Sequence, residues 1–191
     1  MADPVEVLDF WLGEVGPVGW YKGGADLDAL CRDRFAEVWQ AAHDGGLEHW
    51  VQGTVGTLAY LIVTDQLSRN IHRDDARAFG CDARALKAAK LALEQGWDMD
   101  APEPERQFFY MPLEHSEVPA DQAMAVHLLE TRLSSDPDMA LHARAHAEII
   151  RRYARFPTRN VALGRVSTPA EQTYLDEGGY MAIVNQLRTA P

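Results

Sequence analysis

The sequence predicts an all-α fold with antiparallel helical neighbours. Three observations predict it. No segment sustains the period-two alternation of a half-buried strand. Apolar residues recur at helical spacing instead, as in Leu27, Leu30, Phe35, Val38, Trp39 and Ala42, or Leu141, Ala145, Ile149 and Ile150. The helical stretches are separated by short connectors rich in Pro, Gly and capping residues, which lays consecutive helices side by side in opposite directions. The 191 residues fit one domain, 1–191, with a sizeable core.

Asp3 can cap a first helix with Pro4 in its first turn, running to about Trp11 and stopped by Gly13. Residues 13–24 read as a flexible glycine loop holding Trp20 and Tyr21, which could line a pocket mouth. Gly13, Gly16 and Gly19 lack the spacing and preceding strand of a dinucleotide fingerprint. A second helix starts near Asp26 and ends at Gly45-Gly46. A third, 54–63, is apolar nearly all round and should be the most buried. Asp82 caps a fourth, 83–95, closed by Gly96. Two short or broken helices surround Pro112. Pro119 opens the helix 120–133, and Asp136-Pro137 opens a long one reaching about Tyr153. Thr168-Pro169-Ala170-Glu171 is a capping box, hydroxyl at the cap and glutamate third, for a helix that Gly178-Gly179 ends.

A formal net charge of −11 excludes general nucleic-acid or anionic-membrane binding. No apolar run is long enough to span a bilayer, and the acidic N-terminus does not resemble a signal peptide. Cys31 and Cys81, without a paired spacing, read as packed thiols of a cytoplasmic protein. The charge is uneven. From Arg144 to Arg165 six arginines face one acid, Glu148, so this segment is +5 and the remainder −16. Such a stretch is matched either by the protein's own carboxylates or by a bound anion.

Three polar strings follow apolar helical stretches: Asp65-Gln66-Leu67-Ser68-Arg69-Asn70, Pro112-Leu113-Glu114-His115-Ser116-Glu117 and Arg155-Phe156-Pro157-Thr158-Arg159-Asn160. Charge placed where a helix meets the core is costly unless paired or used. The strings therefore mark an internal polar lattice or a ligand site. Asp65, at the expected negative end of the 54–63 helix, needs a cation, and Arg69, Arg155 or Arg159 can supply it. Asn70 and Asn160 suit left-handed helix ends or ligand amides. Arg69, Arg73, Arg159 and Arg165 can cap carbonyls or hold an anion. His115, between Glu114 and Glu117, is the candidate acid or base, with either glutamate orienting it, against the plainer reading of a histidine bonded to a backbone carbonyl. His142 and His146, four apart, have the spacing of a metal pair that Glu114, His115 or Glu117 could complete, but no HExxH and no Glu-x-x-His pair accompanies them. No metal or cofactor is assigned, and Ser68, Ser116 and the cysteines have no evident activating base.

The chain resembles the bacterial family called domain of unknown function 924. The matching strings are Val7-Leu8-Asp9-Phe10-Trp11-Leu12-Gly13 with Trp20-Tyr21, 65–70, the run Phe108–Glu117, and Arg155–Asn160 through Leu163-Gly164-Arg165 to the capping box. The resemblance implies a tetratricopeptide-like superhelix of helical hairpins and no particular reaction. The family pattern has glycine and histidine on either side of Arg-Phe-Pro, where this chain has Ala154 and Thr158. It more often has phenylalanine at Leu67.

Two functions follow. In one, the three strings build a site for a small phosphate- or carboxylate-bearing molecule, using Asp65, Arg69, Asn70, Arg73, Arg155, Arg159, Asn160 and Arg165. In the other, the strings are a structural lattice within a scaffold that binds a protein or peptide.

Overall fold

The computed structural model describes residues 3–189, and every regular element among them is helical. The chain divides into two compact units, Met1–Pro112 and Leu113–Pro191.

In the first unit, Asp3 caps Pro4–Leu8 by accepting the Val5 N–H at 2.9 Å. Gly13 does not stop this helix. A π-helical stretch, Asp9–Val15, carries it on, and a further turn, Gly16–Trp20, follows. The expected loop is thus largely helical, and packing is the reason. Trp11 and Trp20 are buried, Trp20 Nε1 donates to the Trp11 carbonyl at 2.7 Å, and the Trp20 ring meets Phe108 edge-on at 4.8 Å. Trp20 is core and lines no pocket mouth, whereas Tyr21 is exposed and its hydroxyl donates to Gln107.

The long helix Ala25–His43 packs against the most apolar helix, which runs further than expected. Thr54–Leu61 is α-helical, Ile62–Leu67 widens into a π-helix, and Ser68–Ile71 returns to α. Leu58 and Ile62 are buried, as the apolar pattern requires. Asp65 therefore sits inside a continuous helix, 54–71, and not at its end. Where this helix begins the backbone passes close to another segment. A Cβ on Gly56 would lie 2.2 Å from the Trp50 carbonyl oxygen. Asp82–Gln95 ends at Gly96 in the left-handed conformation, φ 75°.

In the second unit, connector 133–136 folds Pro137–Tyr153 back along Pro119–Arg132, and Gly179–Thr189 packs on the same long helix. Leu141, Ala145, Ile149, Ile150, Phe156, Tyr174, Ile183 and Val184 form the core. The capping box opens Pro169–Asp176 with both reciprocal bonds present. Neither candidate asparagine is a left-handed helix end. Asn70 lies within Ser68–Ile71, and Asn160 is right-handed helical at φ −58°.

The residue that does turn left-handed is Ala154, at φ 58°, where Pro137–Tyr153 ends. This is the position at which the resembling family carries glycine. A Cβ is disfavoured there, and the exposed Ala154 side chain gains nothing from packing. Ala154→Gly should raise stability by about 0.5–1 kcal/mol in chemical denaturation. Gly56→Ala should lower it by about 1–3 kcal/mol, because the Trp50 carbonyl is backbone and cannot swing aside. A neutral Gly56→Ala, or a destabilising Ala154→Gly, would contradict these backbone assignments.

Candidate functional site

Four candidate residues belong to the first unit. The π-widening lets the Ser68 N–H bond the Val63 carbonyl five residues back. Arg69 Nη1 then donates to the Asp65 carbonyl at 2.6 Å and lies 3.2 Å from the Asp65 carboxylate, while Nη2 lies 3.1 Å from Asp82. Burial pulls the Arg69 pKa down, and Asp65 and Asp82 more than reverse this, leaving it above its ordinary value. Asp65 also accepts from Gln66 Nε2. Asn70 and Arg73 converge on Asp28, a buried acid of helix Ala25–His43. Asn70 Nδ2 donates at 2.9 Å and Arg73 donates through both Nε and Nη2. Arg73 holds the Asp28 carboxyl below its ordinary range, outweighing the opposing effect of burial.

In the second unit the basic stretch meets its own carboxylates. Arg144 bonds Glu130, and Arg151 and Arg152 share Glu148. Arg155 is bidentate to Glu171, and Arg165 is bidentate to Glu117. Glu171 is buried, yet the Arg155 fork and the Thr168 backbone N–H hold its pKa down at about 2. Burial works to raise the Glu117 pKa, but Arg165 and the Phe156 N–H together keep it low. Arg159 lies 4.5 Å over the Phe156 ring and donates to the His115 carbonyl at 3.0 Å. Asn160 Nδ2 donates to Ser167.

Glu114 is placed differently. It is 2% exposed, and its Oε2 accepts from His146 Nδ1 at 3.1 Å. Its Oε1 is buried without a hydrogen-bond partner among the described residues, as are Gln122 Oε1 and Asn160 Oδ1. With Nδ1 turned to Glu114, Nε2 is the ring nitrogen that faces away from the carboxylate. The His146 ring stands 5.9 Å from His115, 5.7 Å from Phe156 and 5.0 Å from Tyr180. His142 Nδ1 lies 2.5 Å from the Tyr180 hydroxyl. Burial and the neighbouring His146 lower the His142 pKa, and burial raises that of Tyr180. Gln122 Nε2 donates to the carbonyls of Leu113, Glu114 and Ser116, clamping the corner that presents Glu114.

Sequence reasoning named Glu114 and His115 and paired them as base and orienting acid; it joined His146 to Glu114, His115 or Glu117 only as possible members of a metal site, not as a carboxylate–histidine pair. Among the described residues no group of three His, Cys, Asp or Glu is arranged to hold a metal ion. Asp28, Gln122 and Tyr180 were missed. Asp28 and Gln122 stand among other polar residues of their helices and Tyr180 follows a glycine pair, so nothing in the local sequence set them apart. Thr158, where the family pattern has histidine, is exposed. Ser68 accepts from Trp39 and donates to the Ala78 carbonyl, and Ser116 donates to Asp121, so both serve as structural hydroxyls. The thiols of Cys31 and Cys81 are buried, which pushes their pKa values up to about 12 and about 11. Among the described residues no helix is long and apolar enough to cross a membrane.

These features define an all-helical protein whose helix junctions hold buried carboxylates answered by arginine or histidine. The chain belongs to the family of bacterial proteins of unknown function DUF924, whose model matches residues 7–179. It is also similar to a solved protein of unknown function from Agrobacterium tumefaciens. The identity is 35% and the TM-score 0.85, over 92% of this chain and 97% of that one. No curated protein matches it.

The depressed Glu171 pKa carries a pH signature. Its folded value, about 2, lies below its ordinary value of 4.5. The Arg155–Glu171 pair therefore contributes its full stability above the ordinary value, and loses it as pH falls toward 2. Glu171→Gln should lower stability at pH 7 and flatten its decline between pH 5 and pH 2. Parallel pH profiles for variant and wild type in urea unfolding would show that the pair contributes nothing.

Proposed function

We propose that the Leu113–Pro191 unit binds a small molecule carrying an amine or hydroxyl donor beside one anionic group. The observation that carries this reading is Glu114. A carboxylate buried to this extent, with one oxygen lacking a partner among the described residues, is costly for stability alone. Groups retained at such cost are characteristic of sites. The chemistry of the orphan atoms sets the ligand class. Glu114 Oε1, Gln122 Oε1 and Asn160 Oδ1 are acceptors, so they call for donors and repel a bare anion. We assign the anionic end to Arg159 on its position, its guanidinium held over Phe156 and bonded to the His115 carbonyl. Of the other arginines expected to hold an anion, Arg69 meets Asp65 and Asp82, and Arg73, Arg155 and Arg165 each grip a carboxylate.

The same atoms suit acid–base chemistry. Glu114 fixes the His146 tautomer and orients the ring, and Nε2 is the atom that exchanges a proton with a bound group. The His115 ring stands edge-on to His146 at 5.9 Å, within reach of the same bound group. Buried thiols fit a reducing cytoplasm. The peptide-scaffold reading draws on Val161 and Val166, 91% and 87% exposed on the loop after Asn160. Single exposed valines are ordinary on protein surfaces, so this support is the weaker.

Glu114→Gln separates a site from a lattice. It removes the charge and keeps the shape. A ligand site predicts unchanged or higher melting temperature, and loss of the thermal shift that amino alcohols or sugar phosphates give wild type. Dicarboxylates without donors should give no shift. If the substitution mainly lowers the melting temperature and no compound in the panel shifts wild type, Glu114 belongs to a structural lattice.

A further inference from the structure

We infer that the Met1–Pro112 unit holds a separate site for an amphipathic monoanion, a short acyl chain ending in a carboxylate. A cleft of about 320 Å³ lies between helix Asp82–Gln95 and the segments before and within the 54–71 helix, lined by Val51, Tyr60, Ala83, Arg84, Lys87 and Leu91. That volume is at the small end of the roughly 300–1,000 Å³ typical of small-molecule sites, so it suits a small molecule and not a folded partner.

The lining has two parts. Arg84, Lys87 and Leu91 are spaced three and four apart and form one stripe of a single helix. Toward its start the stripe is cationic. Arg84 is fixed by Glu48 at 2.7 Å and packs against Gly45, where an added Cβ would come within 3.4 Å of the guanidinium. Lys87 is exposed and makes no ion pair among the described residues. The cleft therefore keeps one uncommitted positive charge in a chain of net charge −11 that has only three lysines. Toward its end the stripe is apolar. Leu91 is 38% exposed, and Val51 and Ala88 also line the cleft. The Tyr60 ring is 2% exposed and closes the floor.

One unmatched cation beside an apolar wall selects one anionic group on an apolar tail. A polyanion would find a single charge to meet, and Glu48 would repel the rest. A neutral chain would leave Lys87 unanswered, and a small anion would leave Leu91 and Val51 wet.

Sodium octanoate is the probe, with octanol and sodium acetate as the matched compounds lacking charge or tail. Titrations of the whole protein followed by amide NMR give both affinity and location. Octanoate should bind more tightly than either comparator and shift resonances of Tyr60, Lys87 and Leu91. Lys87→Gln, an exposed change that leaves the fold intact, should weaken octanoate about threefold to tenfold and leave octanol unchanged. Glu114→Gln should leave octanoate binding as in wild type, so this site stands or falls apart from the one in the second unit. Absence of saturable octanoate binding, equal affinity for octanol, or an affinity indifferent to Lys87→Gln would each overturn the inference.

Discussion

Buried carboxylates within helices and at their junctions constrain the rest of this structure. Asp28, Asp65, Glu114 and Glu171 are all nearly inaccessible. An ionised carboxylate in such a place is destabilising unless a cation reaches it with good geometry. Arg73, Arg69, His146 and Arg155 do so in turn. The Arg73, His146 and Arg155 pairings each fix a connector or a helix end, and the Arg69 pairing spans one turn inside the 54–71 helix. Arg155 ties the end of one long helix to the capping glutamate of the next, and the Thr168 hydroxyl and backbone join the same knot. Removing any one partner leaves a charge in the interior, which is why these corners carry such uniform polar strings.

The π-helical segment Ile62–Leu67 follows from the same constraint. An acid is unfavourable near the negative end of a helix. Widening the helix moves Asp65 into its interior and turns its carbonyl toward Arg69, so one guanidinium serves both the carbonyl and the carboxylate. Asp82 then balances the second nitrogen. In the second unit, five arginines from Arg144 to Arg165 meet Glu130, Glu148, Glu171 and Glu117, so its basic stretch is balanced largely from within. Glu114 is met differently: its partner is a histidine, and its Oε1 has no hydrogen-bond partner among the described residues.

Features set by near neighbours were legible in the sequence. The Asp3 cap, the Thr168–Glu171 capping box, the Gly96 stop and the burial of Leu58 and Ile62 all come from spacings of four residues or fewer, or from apolar runs. The π-widening was not legible, because a short run that is apolar on every side looks the same at either helical period. Trp20 was misread because glycine spacing describes backbone freedom, while the burial of an indole against Phe108 depends on a residue far along the chain. Site pairings were missed for the same reason, apart from the grouping of Glu114 with His146, which was read as a possible metal site and not as a direct bond. Glu114 and His146 are 32 residues apart, and Glu117 and Arg165 are 48 apart. Composition announced that the arginines needed acids without saying which. The departure at Ala154 was visible beforehand, and the left-handed backbone there supplies its physical meaning.

The claim on which this account rests is that the basic stretch is satisfied by the protein's own carboxylates. A double-mutant cycle on Arg155 and Glu171 tests it most directly, with Arg155→Met, Glu171→Gln and the pair compared by urea unfolding at pH 7. The account predicts strong coupling, with the double variant no less stable than the more damaged single variant, because removing both charges leaves none stranded. Additive losses would contradict it, and would mean that Arg155 and Glu171 act on the fold independently.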